Sequence, residues 1–110
     1  MKKAKFHAKA LATLKKFPEE IRREVGQAIF ELQKGNQLSM PLAKPMPSIG
    51  MGVEELRIKD ANGAFRVFYF TKLVDRVLIF HAFQKKTRKT PTHEIELGRK
   101  RLKELQNEED

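Results

Sequence analysis

Apolar positions along the chain recur first at helical spacing, then in alternation, then at helical spacing again. Ala10, Leu11 and Leu14 share one face of a short helix over residues 8–16. Pro18 interrupts it and suits the first position of a second helix, where its missing N–H leaves nothing unbonded. Glu19 and Glu20 fall in that first turn, where carboxylates complement the helix dipole. Ile21, Val25, Ala28, Ile29 and Leu32 continue the stripe, and Gly35-Asn36 is a stop signal. The two helices should form a hairpin with a shared apolar face.

Residues 36–52 hold Pro41, Pro45, Pro47, Gly50 and Gly52 and read as a surface loop, tacked to the core by Leu38, Met40, Leu42 and Met46. Over residues 53–59, Glu55, Arg57 and Lys59 alternate with Leu56 and Ile58, the pattern of a half-buried strand. Asn62-Gly63 signals a hairpin, with a return strand over 64–71 that carries Arg66 and Tyr69. Residues 74–83, almost unbroken in apolar character from Val77 to Phe80, suit a central strand. Consecutive strands with short connections should pair antiparallel. Thr90-Pro91 opens a last helix, a hydroxyl cap followed by proline. Ile95, Leu102 and Leu105 form its apolar edge, and Glu108–Asp110 should fray. The order is two helices, a loop, three strands and a helix: an α+β arrangement, with 110 residues in a single domain spanning 1–110.

Composition bounds the function classes. Apolar residues at 40%, with eight phenylalanines, suffice for one modest core. The absence of cysteine excludes disulfides and thiolate metal sites and fits a cytoplasmic protein. No stretch approaches the roughly 18 apolar residues of a membrane span. Basic Met1–Lys5 is followed by no long apolar run, so it does not read as a signal peptide. The net charge of +9 is unevenly placed. Lys2, Lys3, Lys5, Lys9, Lys15 and Lys16 crowd the start; Lys85, Lys86, Arg88, Lys89, Arg99, Lys100, Arg101 and Lys103 crowd the end. Such clusters suit a polyanion, nucleic acid or an acidic protein, although a solvated, solubilising surface has the same composition.

Candidate chemistry lies in polar residues on otherwise apolar strands. Arg57 and Arg66 fall on paired strands, with Lys59 following Arg57 on its face. His81 ends the most apolar strand, Lys85, Lys86, Arg88 and Lys89 follow at once, and His93 lies in the first turn of the last helix. A cationic sheet face closed by a basic loop would suit a phosphate backbone, and phosphodiester cleavage needs several positive donors near one phosphate. Taken singly, Tyr69 suits a core residue with a bonded hydroxyl, and His81 a satisfied, half-buried histidine. The three histidines are far apart in sequence, no acidic cluster has ligand spacing and no glycine-rich phosphate loop is present, so neither a metal nor a cofactor is implied.

These residues carry a resemblance. Leu56-Arg57 and Gly63 to Tyr69 resemble the hairpin of the RelE/ParE toxin superfamily. His81-Ala-Phe-Gln-Lys-Lys86, the following Thr90-Pro91 and helix, Phe17-Pro18-Glu19 and the region Gly26 to Gln33 resemble its phage-derived HigB-like branch. The resemblance implies a helical hairpin packed on a small twisted antiparallel sheet with a C-terminal helix, and a short N-terminal strand near Lys2 to Phe6. It implies a metal-independent endoribonuclease that cuts mRNA on the ribosome by attack of the 2′-hydroxyl on the neighbouring phosphate, silenced by a helix-turn-helix antitoxin. By position, Arg66 would clamp the phosphate with Arg57 beside it. Lys85 and Lys86 match a basic pair, with Lys86 the candidate for leaving-group protonation or phosphate stabilisation. His93 stands where many members have tyrosine; a histidine suits proton transfer near neutral pH. Lys59, Tyr69, His81, Arg88 and Lys89 are the expected RNA contacts.

Two other functions share the fold. A ParE-like inhibitor of DNA gyrase would cut nothing, and a non-toxic relative would only bind RNA or repress transcription with its partner. The joint set Arg66, Lys85, Lys86 and His93 favours cleavage, because a non-catalytic inhibitor has no need of it.

Overall fold

A computed structural model describes residues 1–109. In chain order it contains β1 (Lys3–Phe6), α1 (Ala8–Leu14), α2 (Glu19–Gln33), β2 (Ala43–Pro45), β3 (Val53–Asp60), β4 (Gly63–Phe70), β5 (Arg76–Lys85) and α3 (Thr92–Glu109). The hairpin of helices forms as its periodicity predicts, with Ile21, Val25, Ala28, Ile29 and Leu32 all buried. Pro18 sits one position earlier than expected, as the cap residue of α2. At the start of α1 the cap is His7, whose Nδ1 accepts from the Lys9 amide.

The strands order as β1-β5-β4-β3-β2. The pairs from β2 to β5 are antiparallel, and β1 adds to β5 as a parallel edge. The predicted loop 36–52 therefore contains one strand, β2, on the opposite edge. Met46 in that loop is buried, as expected, and so is Ile49. Met40 and Leu42, expected to tack the loop down, are exposed.

Both faces of the sheet are covered. Helices α1 and α2 pack on the face formed by Leu56, Ile58, Phe65, Val67, Tyr69, Val77 and Ile79. Helix α3 packs through Leu102 and Leu105 on Val53, Phe68, Leu78, Phe80 and Phe83 of the other. Two-sided burial explains why β4 and β5 read as nearly continuous apolar runs.

Two local features position the site. The hairpin loop is Ala61-Asn62, one residue earlier than the sequence signal: Asp60 pairs with Gly63, and the Asp60 side chain accepts the Asn62 amide at 2.7 Å. Gly63 has φ +143°, which suits glycine there. In β5, Phe68 pairs with His81 while Tyr69 pairs with Ile79, so Phe80 has no partner. This bulge inserts one residue and re-aims the side chains beyond it. His81, Phe83 and Lys85 thereby share the α3 face with Arg66 and Phe68.

The start of α3 departs from expectation. The Thr90 hydroxyl does not cap the helix; it donates to Glu55 Oε2 at 2.9 Å. At the other end the helix continues through Glu109, so Glu108, expected to fray, is helical. Asp110, also expected to fray, lies outside the described residues.

Candidate active site

Helix α3 leaves one end of its sheet face open, where β3, β4 and β5 carry charge instead of apolar side chains. Alternation along β3 places Glu55, Arg57 and Lys59 there, and Arg66 lies directly opposite Arg57 across the β3–β4 pair. Arg66 is 7% exposed. Its Nε lies 3.6 Å from Glu55 Oε1 and makes no hydrogen bond, while NH1 makes a long 3.4 Å contact with the Phe65 carbonyl. Arg57 Nε approaches the same Glu55 oxygen at 3.8 Å. Arg57, Lys59 and Arg66 line a cleft of ≈ 350 Å³ with Pro41 and Leu42.

Lys85 is buried as well, and its Nζ donates to the Arg88 carbonyl, folding the loop 86–90 back on the strand end. Burial lowers the Lys85 pKa, and the charges of Arg66, Arg57 and Lys44 lower it further against the opposing pull of Glu55. Burial also lowers the Arg66 pKa; Glu55 opposes the shift and Arg57 adds to it. A guanidinium remains protonated through such a shift. Arg57, Arg66 and Lys85 thus surround one carboxylate, and Arg57 and Arg66 with Lys59 line the adjoining cleft, where an oxyanion would meet oriented donors.

A second polar chain lies under α3. Arg101 donates to His81 Nδ1 at 2.8 Å, and His81 Nε2 donates to Glu94 Oε1 at 2.7 Å. The other Glu94 oxygen is 3.2 Å from Nε2 of His93, which is exposed on the first turn of the helix.

The structure brings together Arg57, Lys59, Arg66 and Lys85 from the predicted set. Lys86, Arg88 and Lys89 are exposed on the adjoining loop, and His93 is exposed three residues beyond Thr90. Lys86 is not in the buried cluster, because it lies one residue past the strand whose alternation carries Lys85 inward. Two expected RNA contacts are corrected. Tyr69 lies on the opposite face, buried beneath α1 and α2, with its hydroxyl on Glu54 at 3.3 Å. His81 is 2% exposed and clasps α3 to the sheet. Glu55, Glu94 and Arg101 were not singled out in the sequence. Only Glu55 carried a signal there, as the acid alternating with Arg57 and Lys59. Among the described residues no group of three or more His, Asp or Glu side chains is placed to hold a metal ion.

This architecture is the RelE fold. The chain matches the crystal structure of the isolated E. coli RelE toxin with a TM-score of 0.56 at 14% sequence identity, over 84% of this chain and 92% of that one. In sequence it belongs to the family of phage-derived Gp49-like proteins (DUF891), whose model matches residues 12–103. The resemblance to the RelE/ParE superfamily and its phage-derived branch is borne out. No curated protein matches the chain in sequence.

Proposed function

We propose that this chain is the toxin of a type II toxin–antitoxin pair and an endoribonuclease that cuts mRNA on the ribosome. The observation that carries this is the Arg57–Arg66 pair, set face to face at the open end of a sheet with Lys85 on the same side. A phosphate is the group that relieves such a concentration of positive charge, and cleavage adds negative charge to that phosphate.

The substrate's own 2′-hydroxyl attacks the neighbouring phosphorus. A 2′-O–P bond forms, the P–5′-O bond breaks, and a 2′,3′-cyclic phosphate and a free 5′-hydroxyl result. Arg66 and Arg57 donate to the non-bridging oxygens as charge builds, and Lys85 adds a third positive charge. His93, exposed on the first turn of α3, serves proton transfer, and the proton lost by the 2′-hydroxyl is balanced by the one gained by the 5′-oxygen. Lys59, Lys86, Arg88 and Lys89 hold the backbone on either side. No step calls for a metal ion or cofactor. The partners are the ribosome with its mRNA, and a helix-turn-helix antitoxin that covers the basic face. The setting is the cytoplasm, where mRNA and ribosomes meet. No described helix is long and apolar enough to cross a membrane.

In vitro translation followed by primer extension tests the reading. New 5′ ends on ribosome-bound mRNA, absent without ribosomes, are expected. Intact mRNA together with blocked gyrase supercoiling would overturn it in favour of a ParE-like inhibitor.

A further inference from the structure

Like charges placed directly across a sheet repel, and Arg57 and Arg66 are such a pair. Glu55 offsets that repulsion. It is 2% exposed, and one oxygen faces the Nε edge of both guanidiniums, at 3.6 and 3.8 Å. The other oxygen accepts the Thr90 hydroxyl at 2.9 Å, at the point where the basic loop ends and α3 approaches. A single carboxylate therefore joins three elements: the arginine of its own strand, the arginine of β4, and the root of the loop. It lies against the Nε edges; Arg66 NH1 contacts the Phe65 carbonyl, and both arginines line the cleft.

Stability alone does not account for this arrangement. Desolvating a buried ion pair costs about as much as its attraction returns, and apolar replacements are often neutral or better. The same sheet face is otherwise filled by Val53, Phe68, Phe80 and Phe83. RNA affinity does not account for it either, since a carboxylate beside a phosphate site weakens anion binding. Orientation does.

We propose that Glu55 is a positioning residue of the cleavage site: it aims Arg57 and Arg66 into the cleft and ties the basic loop to them, without touching RNA. The inference rests on the nuclease reading above. It separates from that reading in one respect, because the hold of Glu55 on the arginines can be observed without any reaction.

The test is Glu55→Gln, which keeps the size and an acceptor for Thr90 but removes the charge. In 15N-labelled protein, the Nε–H signals of Arg57 and Arg66 should be dispersed in the parent and move toward the free-arginine position in the variant. Affinity for a short 2′-deoxy oligonucleotide, which lacks the attacking hydroxyl, should be equal or tighter. Cutting on ribosomes should slow by about 10–100-fold, the usual scale for removing a residue that orients an active group.

Unmoved arginine signals, an unchanged cutting rate, or a loss of cutting matched by an equal loss of oligonucleotide affinity would each overturn the proposal. Should the variant not fold, the parent and Thr90→Val decide. Dispersed Nε–H signals in the parent with slowed cutting by Thr90→Val support the assignment; signals at the free-arginine position, or full-speed cutting, sink it. A parent chain that cuts nothing defeats the nuclease reading, while the arginine signals still report whether Glu55 holds the pair.

Discussion

Arg101 donates to Nδ1 of His81 at 2.8 Å, and that bond determines the state of the ring. A guanidinium has no lone pair to offer, so Nδ1 is the acceptor and Nε2–H donates to Glu94. Burial lowers the His81 pKa, the bond to Glu94 opposes the shift, and the Arg101 charge adds to it. Between this lowered value and the ordinary 6.5 the unfolded chain binds the extra proton. The contribution to stability is therefore complete above pH 6.5 and is lost as pH falls through the folded-state pKa. Denaturant melts from pH 7.5 to 5 should show a steeper acid loss in the parent than in His81→Gln. Equal slopes would refute the assignment of a buried neutral ring.

Arg66 is the most buried of the cations assigned to cleavage. Arg66→Ala should slow cutting by ~100–1000-fold, the scale for losing one preorganised donor. It also leaves buried Glu55 with one guanidinium fewer, so Tm should fall. Arg66→Lys separates the two effects: it keeps the charge but loses the planar fork. It should recover part of the Tm and little of the activity. Full activity in Arg66→Lys would reduce the arginine to a source of charge.

Lys85 and Lys86 are neighbours in sequence with different surroundings. Lys85→Met removes a buried cation and the tether to Arg88, and should cut poorly even at saturating ribosome concentration. Lys86→Met removes an exposed cation, and should weaken oligonucleotide binding evenly and lower the salt slope by about one charge. Titration of binding against salt, with saturation kinetics, distinguishes them. The reverse ranking would return the catalytic role to Lys86.

Tyr69→Phe removes a hydroxyl whose partner, Glu54, lies on the far side of the sheet from the cleft. Stability should drop by about 0.5–1.5 kcal/mol, with growth arrest unchanged. A folded but inactive Tyr69→Phe would show that the RNA path crosses the other face.

Gly98 lies inside α3 where the helix crosses Phe68 of β4. A Cβ there would come within 2.8 and 3.0 Å of the Phe68 ring, which is fully buried and has nowhere to retreat. Alanine in a helix is worth roughly 1 kcal/mol over glycine, yet overpacking of this kind costs about 1–3 kcal/mol. Gly98→Ala should therefore lower Tm. A rise in Tm would mean that α3 rides further from Phe68 than the structure has it.

Much of the fold and part of the site are legible in the residue pattern, for identifiable reasons. The stripe from Ile21 to Leu32 and the alternation from Glu55 to Lys59 are patterns within one element, so periodicity exposes them directly. The positions of Arg57, Lys59 and Arg66 follow from that alternation and the hairpin. The parallel edge β1 and short β2 escape the periodicity, because strands this brief hold too few residues to show a pattern and exist only through their neighbours. His81 and Tyr69 are misread as RNA contacts for a related reason. A polar residue in an apolar run signals something paired, but the pairing partners, Glu94 with Arg101 and Glu54, lie on other elements.

Local spacing and composition suffice for the amphipathic elements, their order, the basic character of the chain and its superfamily resemblance, because none of these depends on packing. Which charges meet is a matter of the assembled fold. Phe80 lies within an unbroken apolar run, so nothing in the sequence marks it as the extra residue of a bulge. Yet that one residue turns His81, Phe83 and Lys85 toward Arg66 instead of away from it. Likewise Thr90 reads as a helix cap from its neighbours and becomes a partner of Glu55 only when β3 and the start of α3 are brought side by side. Side-chain direction in a strand has a period of two, and one inserted residue reverses it. The face that carries the charged cluster is therefore set by the pairing register of β4 and β5, a property of two strands together and of neither alone.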